Sequence, residues 1–325
     1  MTERLAADKT GIARAAELLR SGELVAFGTE TVYGLGADAT NARAVAGIFA
    51  AKNRPRFNPL IAHFPDAGAA FADVIATEEA KRLAEAFWPG PLTMVLRRRP
   101  ESGIALLTSA GLDTLAVRVP GQDSARDLLR ETGRPVAAPS ANPSGRISPT
   151  TADHVLEGLA GQIAAVLDSG PSTVGVESTV IDLASDAPVL LRAGGVPLES
   201  VEALIGPVAI ASGTASPRAP GMLASHYAPV AALRLNAEHV GSDEALLGFG
   251  SPLSGAALVF NLSPKGDLTE AAARLFAGLR ILDARAGEAG LRGIAAMPVP
   301  QNGLGLAIND RLRRAAAPRG VQKTH

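Results

Sequence analysis

Cysteine is absent from the sequence. That excludes disulfides, thiolate-bound metal and thiol nucleophiles, and it suits a reducing compartment. Aromatic residues make up only 4% of the 325 residues, so the 47% apolar content rests on Ala, Val and Leu. Neither sign of charge is in excess. The 31 basic and 32 acidic residues leave a net charge of −1, which argues against a global polyanion-binding surface and leaves only local basic patches. No apolar run approaches the ~18–20 residues of a membrane span, and the charged start MTERLAADKT has no apolar signal core. The expectation is a cytoplasmic protein with no membrane contact. The histidines at 63, 154, 226, 239 and 325 show no metal-ligand spacing. There is also no Gly-Lys-Ser/Thr phosphate loop and no Gly-x-Ser-x-Gly elbow.

What is present alternates short strands with helices. Helical spacing over 11–21 ends at Ser21-Gly22, and an apolar run, Leu24-Val25-Ala26-Phe27, reads as a buried strand. A helix over 41–51, with Asn41 as N-cap, has to stop before Pro55. PLIAHF, TLAVRVP, PVAAPSAN, AAVLDSG, STVIDLA and PVLLRAGG read as further strands, and TEEAKRLAEAF, SARDLLRETG and TADHVLEGLAG as helices. This mixture predicts an α/β domain over 1–206. Residues 207–229, rich in Ala, Ser, Pro and Gly, read as a linker, and 230–325 as a smaller α/β unit.

Polar groups gather where the strands end. Thr29, Thr31 and Tyr33 alternate after the first apolar strand, which in extended backbone aims two hydroxyls and a phenol at one volume. Gly34-x-Gly36 lacks the third glycine of a dinucleotide fingerprint, so alone it is explained by a turn. AKNRPRFNP puts Lys52 at a helix end and Arg54 just before Pro55, with Asn58 beyond. The helix dipole favours cations there, and an Arg fork beside a Lys charge also suits phosphates. APSANPSGRISPT packs Ser140, Asn142, Ser144 and Ser148 among prolines, either as turns or as a second polar rim of one pocket. Ser178 starts a strand, Arg192 precedes two glycines, and His63 and Arg118 sit inside apolar strands. A strand arginine seldom loses water without a partner. The basic clusters RRR at 97–99 and RLRR at 311–314 read as solvated faces or as RNA contacts.

Together these segments resemble the threonylcarbamoyl-AMP synthases, the YrdC-like family in its two-domain form. TETVYGLGADA, KNRPRFNPLIAH, WPGPLT, GLDTLAVRVP, APSANPSGRISPT, GVESTVIDL, VLLRAGG, PGMLASHYAP and NGLGLAINDRLRRA carry the resemblance, in order, from residue 29 to about 315. It implies a twisted mixed sheet with helices around a concave cleft, plus a smaller Rossmann-like C-terminal domain. The implied activity is a nucleotidyltransferase that makes threonylcarbamoyl-AMP and pyrophosphate from L-threonine, bicarbonate or CO2, and ATP, for tRNA modification. By the same resemblance Lys52, Arg54, Ser140 and Asn142 form the catalytic signature. Thr31, His63, Arg118, Ala138 and Ser178 line the threonine site, and Arg54, Asn58, Thr114, Ser140, Ser148, Arg192 and Tyr227 contact ATP. Mg2+ is expected on the phosphates and water rather than in a protein cage. The expected partners are a separate threonylcarbamoyl transferase and, transiently, tRNA. The family usually has Pro where Gly28 stands, implying a looser strand-to-loop joint, and basic residues where Leu223, Ala224 and Ser225 stand. The 217–229 segment is expected to act as a lid. The rival reading is an RNA-binding or regulatory YrdC-like module without synthase activity.

Overall fold

Short apolar runs, each too brief to make a core alone, are assembled into one wide sheet. The computed structural model describes residues 1–211 and 226–318. The chain divides into two compact units, Met1–Ser144 with Ser148–Met222, and Gly145–Ile147 with Leu223–His325. The first opens with β1 (Glu3–Ala6), α1 (Lys9–Arg20), β2 (Val25–Phe27) and β3 (Gly34–Asp38). Next come α2 (Ala42–Lys52), β4 (Ile61–His63), α3 (Ala67–Asp73), β5 (Val74–Ile75), α4 (Glu78–Phe87) and β6 (Leu92–Arg98). Then follow β7 (Thr114–Arg118), α5 (Asp123–Thr132), β8 (Val136–Ala137), α6 (Ala152–Leu159) and β9 (Ala165–Asp168). The unit ends with β10 (Thr179–Asp182), β11 (Val189–Arg192), α7 (Leu198–Ile205) and β12 (Ala209–Ile210).

These twelve strands form one mixed sheet in the order β1-β9-β2-β3-β8-β4-β7-β6-β10-β11-β12, with β5 against β6. α1 starts at Asp8, whose carboxylate caps the Gly11 N–H, and buries Ala15, Ala16, Leu18 and Leu19. With Ala125, Leu128 and Leu129 of α5, that face packs on Val25, Phe27, Val136, Ala165 and Leu167. A separate cluster, Ile61, Val95, Ala116, Val180 and Leu191, lies further along the sheet. Side chains two apart share a face of a strand, so Ile61, Val95, Ala116 and Val180 put His63, Thr93, Arg118 and Ser178 on their own face.

Two expectations change at this level. Gly34-x-Gly36 is no turn: it lies in β3, with Phe27 opposite Gly34 and Ala37 opposite Ala137. The sheet also runs into the segment read as a linker, because Ala209 and Ile210 pair in parallel with Val189 and Leu190. Most of the expected lid, 217–225 of 217–229, lies outside the described residues.

The second unit contains β13 (Ala232–Arg234), β14 (Glu244–Gly248), β15 (Leu258–Asn261), α8 (Leu268–Glu288), β16 (Gly293–Ala296) and α9 (Leu304–Ala316). Its four strands are all parallel, in the order β13-β16-β14-β15. That is the small Rossmann-like unit expected.

Candidate active site

The two cations of KNRPR are parted by one backbone inversion. α2 ends at Lys52, and Asn53 takes a left-handed conformation (φ 51°) that stops the helix. Asparagine tolerates this conformation better than most residues. Lys52 and Arg54 are both buried, while Asn53 between them is exposed. The Lys52 ammonium donates to the Ser140 carbonyl at 2.5 Å and to the Asn142 carbonyl. Arg54 donates to the carbonyls of Asn58 (3.3 Å) and Pro59 (3.0 Å). Both halves of the expected signature therefore meet, although Asn142 takes part through its backbone, and its side-chain amide donates to Pro143 O. Burial, then the neighbouring Arg54 charge, pushes the Lys52 ammonium well below the usual lysine range, with Glu177 pulling the other way.

A second group gathers where β4 and β7 end. His63 and Arg118 are register partners on parallel β4 and β7. Arg118 donates to Glu30 Oε1 (2.5 Å), Thr31 Oγ1 (3.0 Å) and the Gly90 carbonyl (3.3 Å). Thr29 gives its hydroxyl proton to the Val32 carbonyl at 2.6 Å and lies 2.8 Å from Thr31 Oγ1. Thr31 therefore donates to Thr29 while accepting from Arg118, which leaves it able only to accept another hydrogen bond. His63 Nδ1 lies 3.2 Å from the Ile61 carbonyl, and burial, then the Arg118 charge, lowers its pKa to about 3. The imidazole is neutral. Ala138, also buried, donates its N–H to the same Ile61 carbonyl.

Arg192 joins this second group. Its guanidinium donates to the Ser178 carbonyl (2.9 and 3.1 Å) and to Ser178 Oγ (3.1 Å), which is 2.7 Å from Thr93 Oγ1. Gly194 makes this approach possible, because a Cβ there would lie 2.3 Å from backbone atoms of Glu177, Ser178 and Thr179. Ser148 donates to Glu177 Oε1 at 2.5 Å. Thr114 starts β7, four residues before Arg118, so about 13 Å separates the two ends. Register places Thr114 on the Asn58 side, where it lines a cavity of about 330 Å³ with Arg97, Asp182 and Ser185.

One expectation is corrected. The Tyr33 phenol does not join the threonine hydroxyls: it bonds the Gly170 carbonyl (2.7 Å) and Asp168 (3.2 Å). The reason is local, since the Thr29 side chain closes a turn onto Val32 and the segment is not extended there. At Gly28 a Cβ would fall 2.0 Å from Ser169 Oγ, so any side chain there would displace that hydroxyl. Tyr227 lies in the second unit, 1% exposed, with its ring 5.4 Å from Phe276 and the Arg311 guanidinium 5.5 Å from its centroid.

The sequence reading passed over Glu30, Glu177 and Thr93, all buried. Glu30 and Glu177 do lie inside the quoted motifs, beside Thr31 and Ser178, and that adjacency was the available signal. The basic clusters are put to structural use. Arg98 and Arg99 bond backbone carbonyls, Arg311 is fully buried and Arg314 pairs with Asp310 at 2.9 Å.

Known proteins supply the context for this geometry. The family described as Telomere recombination, that of Sua5, YciO and YrdC, matches residues 17–194, and the threonylcarbamoyl-AMP synthase C-terminal domain matches 196–317. The threonylcarbamoyl-AMP synthase of Bacillus subtilis is 42% identical, covering 99% of this chain and 97% of its own length. That of Pyrococcus abyssi is 44% identical over 95% of this chain and 94% of its own. The crystal structure of P. abyssi Sua5 complexed with L-threonine superposes with a TM-score of 0.88 at 40% identity, covering 97% of each chain. With both domains matched and the paired cation groups in place, the chain belongs to the two-domain threonylcarbamoyl-AMP synthase family.

Proposed function

We propose that the chain makes L-threonylcarbamoyl-AMP and pyrophosphate from L-threonine, bicarbonate or CO2, and ATP, supplying the activated group for threonylcarbamoyladenosine in tRNA. The observation that carries this reading is Lys52, a buried ammonium held by two backbone carbonyls. Carbonyls satisfy its hydrogen bonds but bring no full countercharge, and a polyanionic ligand would favour the charged form that burial and Arg54 disfavour.

In this reading the threonine amine captures CO2 as a carbamate. A carbamate oxygen then forms a bond to the α-phosphorus while the bond to pyrophosphate breaks. No enzyme nucleophile enters, so the chain's task is alignment and charge stabilisation. Lys52 and Arg54 take the triphosphate, with Asn58, Ser140, Ser148 and Thr114 along the nucleotide. Arg118 takes the threonine carboxylate, with Thr31, neutral His63, Ala138 and Ser178 around the amino acid. Arg192, bonded to Ser178, takes the α-phosphate where the two substrates meet. Among the described residues no group of three or more carboxylates or histidines is placed to hold a metal ion. We assign Mg2+ to the phosphates. We further assign the reaction to the cytoplasm, with a separate transferase taking the product to tRNA. No helix among the described residues is long and apolar enough to cross a membrane.

The test is pyrophosphate release from ATP with threonine or bicarbonate omitted in turn. Release is expected only with both present. Lys52→Ala and Arg54→Ala should each lower it at least about 100-fold, the scale for losing a charge-stabilising donor, while the far-ultraviolet spectrum stays unchanged. Wild-type turnover in either variant removes that cation from the mechanism.

A further inference from the structure

The pairing of Arg118 with Glu30 is unusual in what it leaves open. Both side chains are buried, at 5% and 10% exposure, and a pair that served only to neutralise Arg118 would favour the two-pronged arrangement common to arginine and carboxylate. Here a single nitrogen, Nη2, serves both Glu30 Oε1 and Thr31 Oγ1, while Nε turns to the Gly90 carbonyl. Among the described residues Arg118 bonds through Nε and Nη2, and none accepts from Nη1. Glu30 Oε2 is buried with no hydrogen-bond partner among the described residues, and a buried carboxylate oxygen left unpaired is costly.

The pair therefore holds one unused donor and one unused acceptor, of opposite charge, on side chains bonded to each other. Thr31 Oγ1 beside them can only accept, because its proton is committed to Thr29. A donor set of one guanidinium N–H and an acceptor set of one carboxylate and one hydroxyl describe a receptor for a zwitterion. The guanidinium suits a carboxylate, and the two acceptors suit a primary ammonium.

We infer that Glu30 is a recognition residue of the amino-acid site: its Oε2, with Thr31 Oγ1, receives the α-ammonium of the threonine whose carboxylate sits on Arg118. This rests on the synthase reading above and adds to it the group that holds the nitrogen. The consequence is selectivity for the amino acid over the same acid without its amine. The deamino acid keeps the carboxylate and leaves Oε2 unpaired.

The test compares two ligands by calorimetry on the full chain: L-threonine and (R)-3-hydroxybutanoate, which lacks only the amine. Threonine should bind wild type about 10- to 100-fold more tightly, the range for a hydrogen bond to a charged group. Glu30→Gln keeps an oxygen for Arg118 and removes the charge, and it should shrink that ratio to within about 3-fold, by weakening threonine alone. Equal loss for both ligands would make Glu30 structural and overturn the assignment. So would equal affinities in wild type, a comparison that needs no variant to fold. Pyrophosphate release by the same wild-type preparation separates the two readings. No threonine-dependent release sinks the synthase, whereas intact release with equal affinities sinks only the role of Glu30.

Discussion

His63 and Arg118 face each other across adjacent strands, and only the arginine is charged. An unfolded histidine takes up its proton near pH 6.5, but this one does so only near pH 3. The folded chain thus binds fewer protons than the unfolded chain as pH falls from about 6.5 to about 3. Stability is lost across that window, by roughly a few kcal/mol, and above it His63 contributes no pH dependence. His63→Gln should show a flatter urea midpoint than wild type between pH 6 and 4. Parallel curves for the two proteins would mean that His63 accepts its proton normally. The same residue scale explains why Glu30 escaped a reading of the sequence. A glutamate in a polar loop looks solvated, and what buries it is an arginine 88 positions away.

The site is a property of element ends. The registers of β4, β6, β7 and β10 bring His63, Thr93, Arg118 and Ser178 to one end of these strands, about 13 Å from Thr114. Most of these strands were legible as apolar runs. β3 was not, because two glycines in five residues mimic a turn, and its strand identity comes from pairing on both sides. Hydroxyl clustering was legible for Thr29 and Thr31, whereas the Tyr33 phenol was misplaced because local alternation fails where a side chain closes its own turn. Nor could sequence foresee how closely β11 returns to β10. Gly194→Ala would drive a Cβ into the Glu177–Thr179 backbone, where no side chain can move aside. The expected result is a loss of at least about 2 kcal/mol of stability, within the range for overpacking, together with impaired pyrophosphate release. An unchanged melting temperature would mean that the backbone yields there at little cost.

Over the whole molecule, the near-zero charge and the internal partners of Arg98, Arg99 and Arg314 fit a site built for small anions rather than a broad nucleic-acid face. The two-part organisation was legible from composition, since a stretch rich in Ala, Ser, Pro and Gly separates two α/β patterns. The strand inside that stretch was not, because Ala209 and Ile210 give it no periodicity to read. The central claim is that separated strand ends and loops hold one amino acid beside one triphosphate. A crystal structure of the chain with L-threonine and a non-hydrolysable ATP analogue tests it most directly. The account predicts the threonine carboxylate on Arg118 and the phosphates between Lys52, Arg54 and Arg192. Either ligand bound away from those side chains would contradict it.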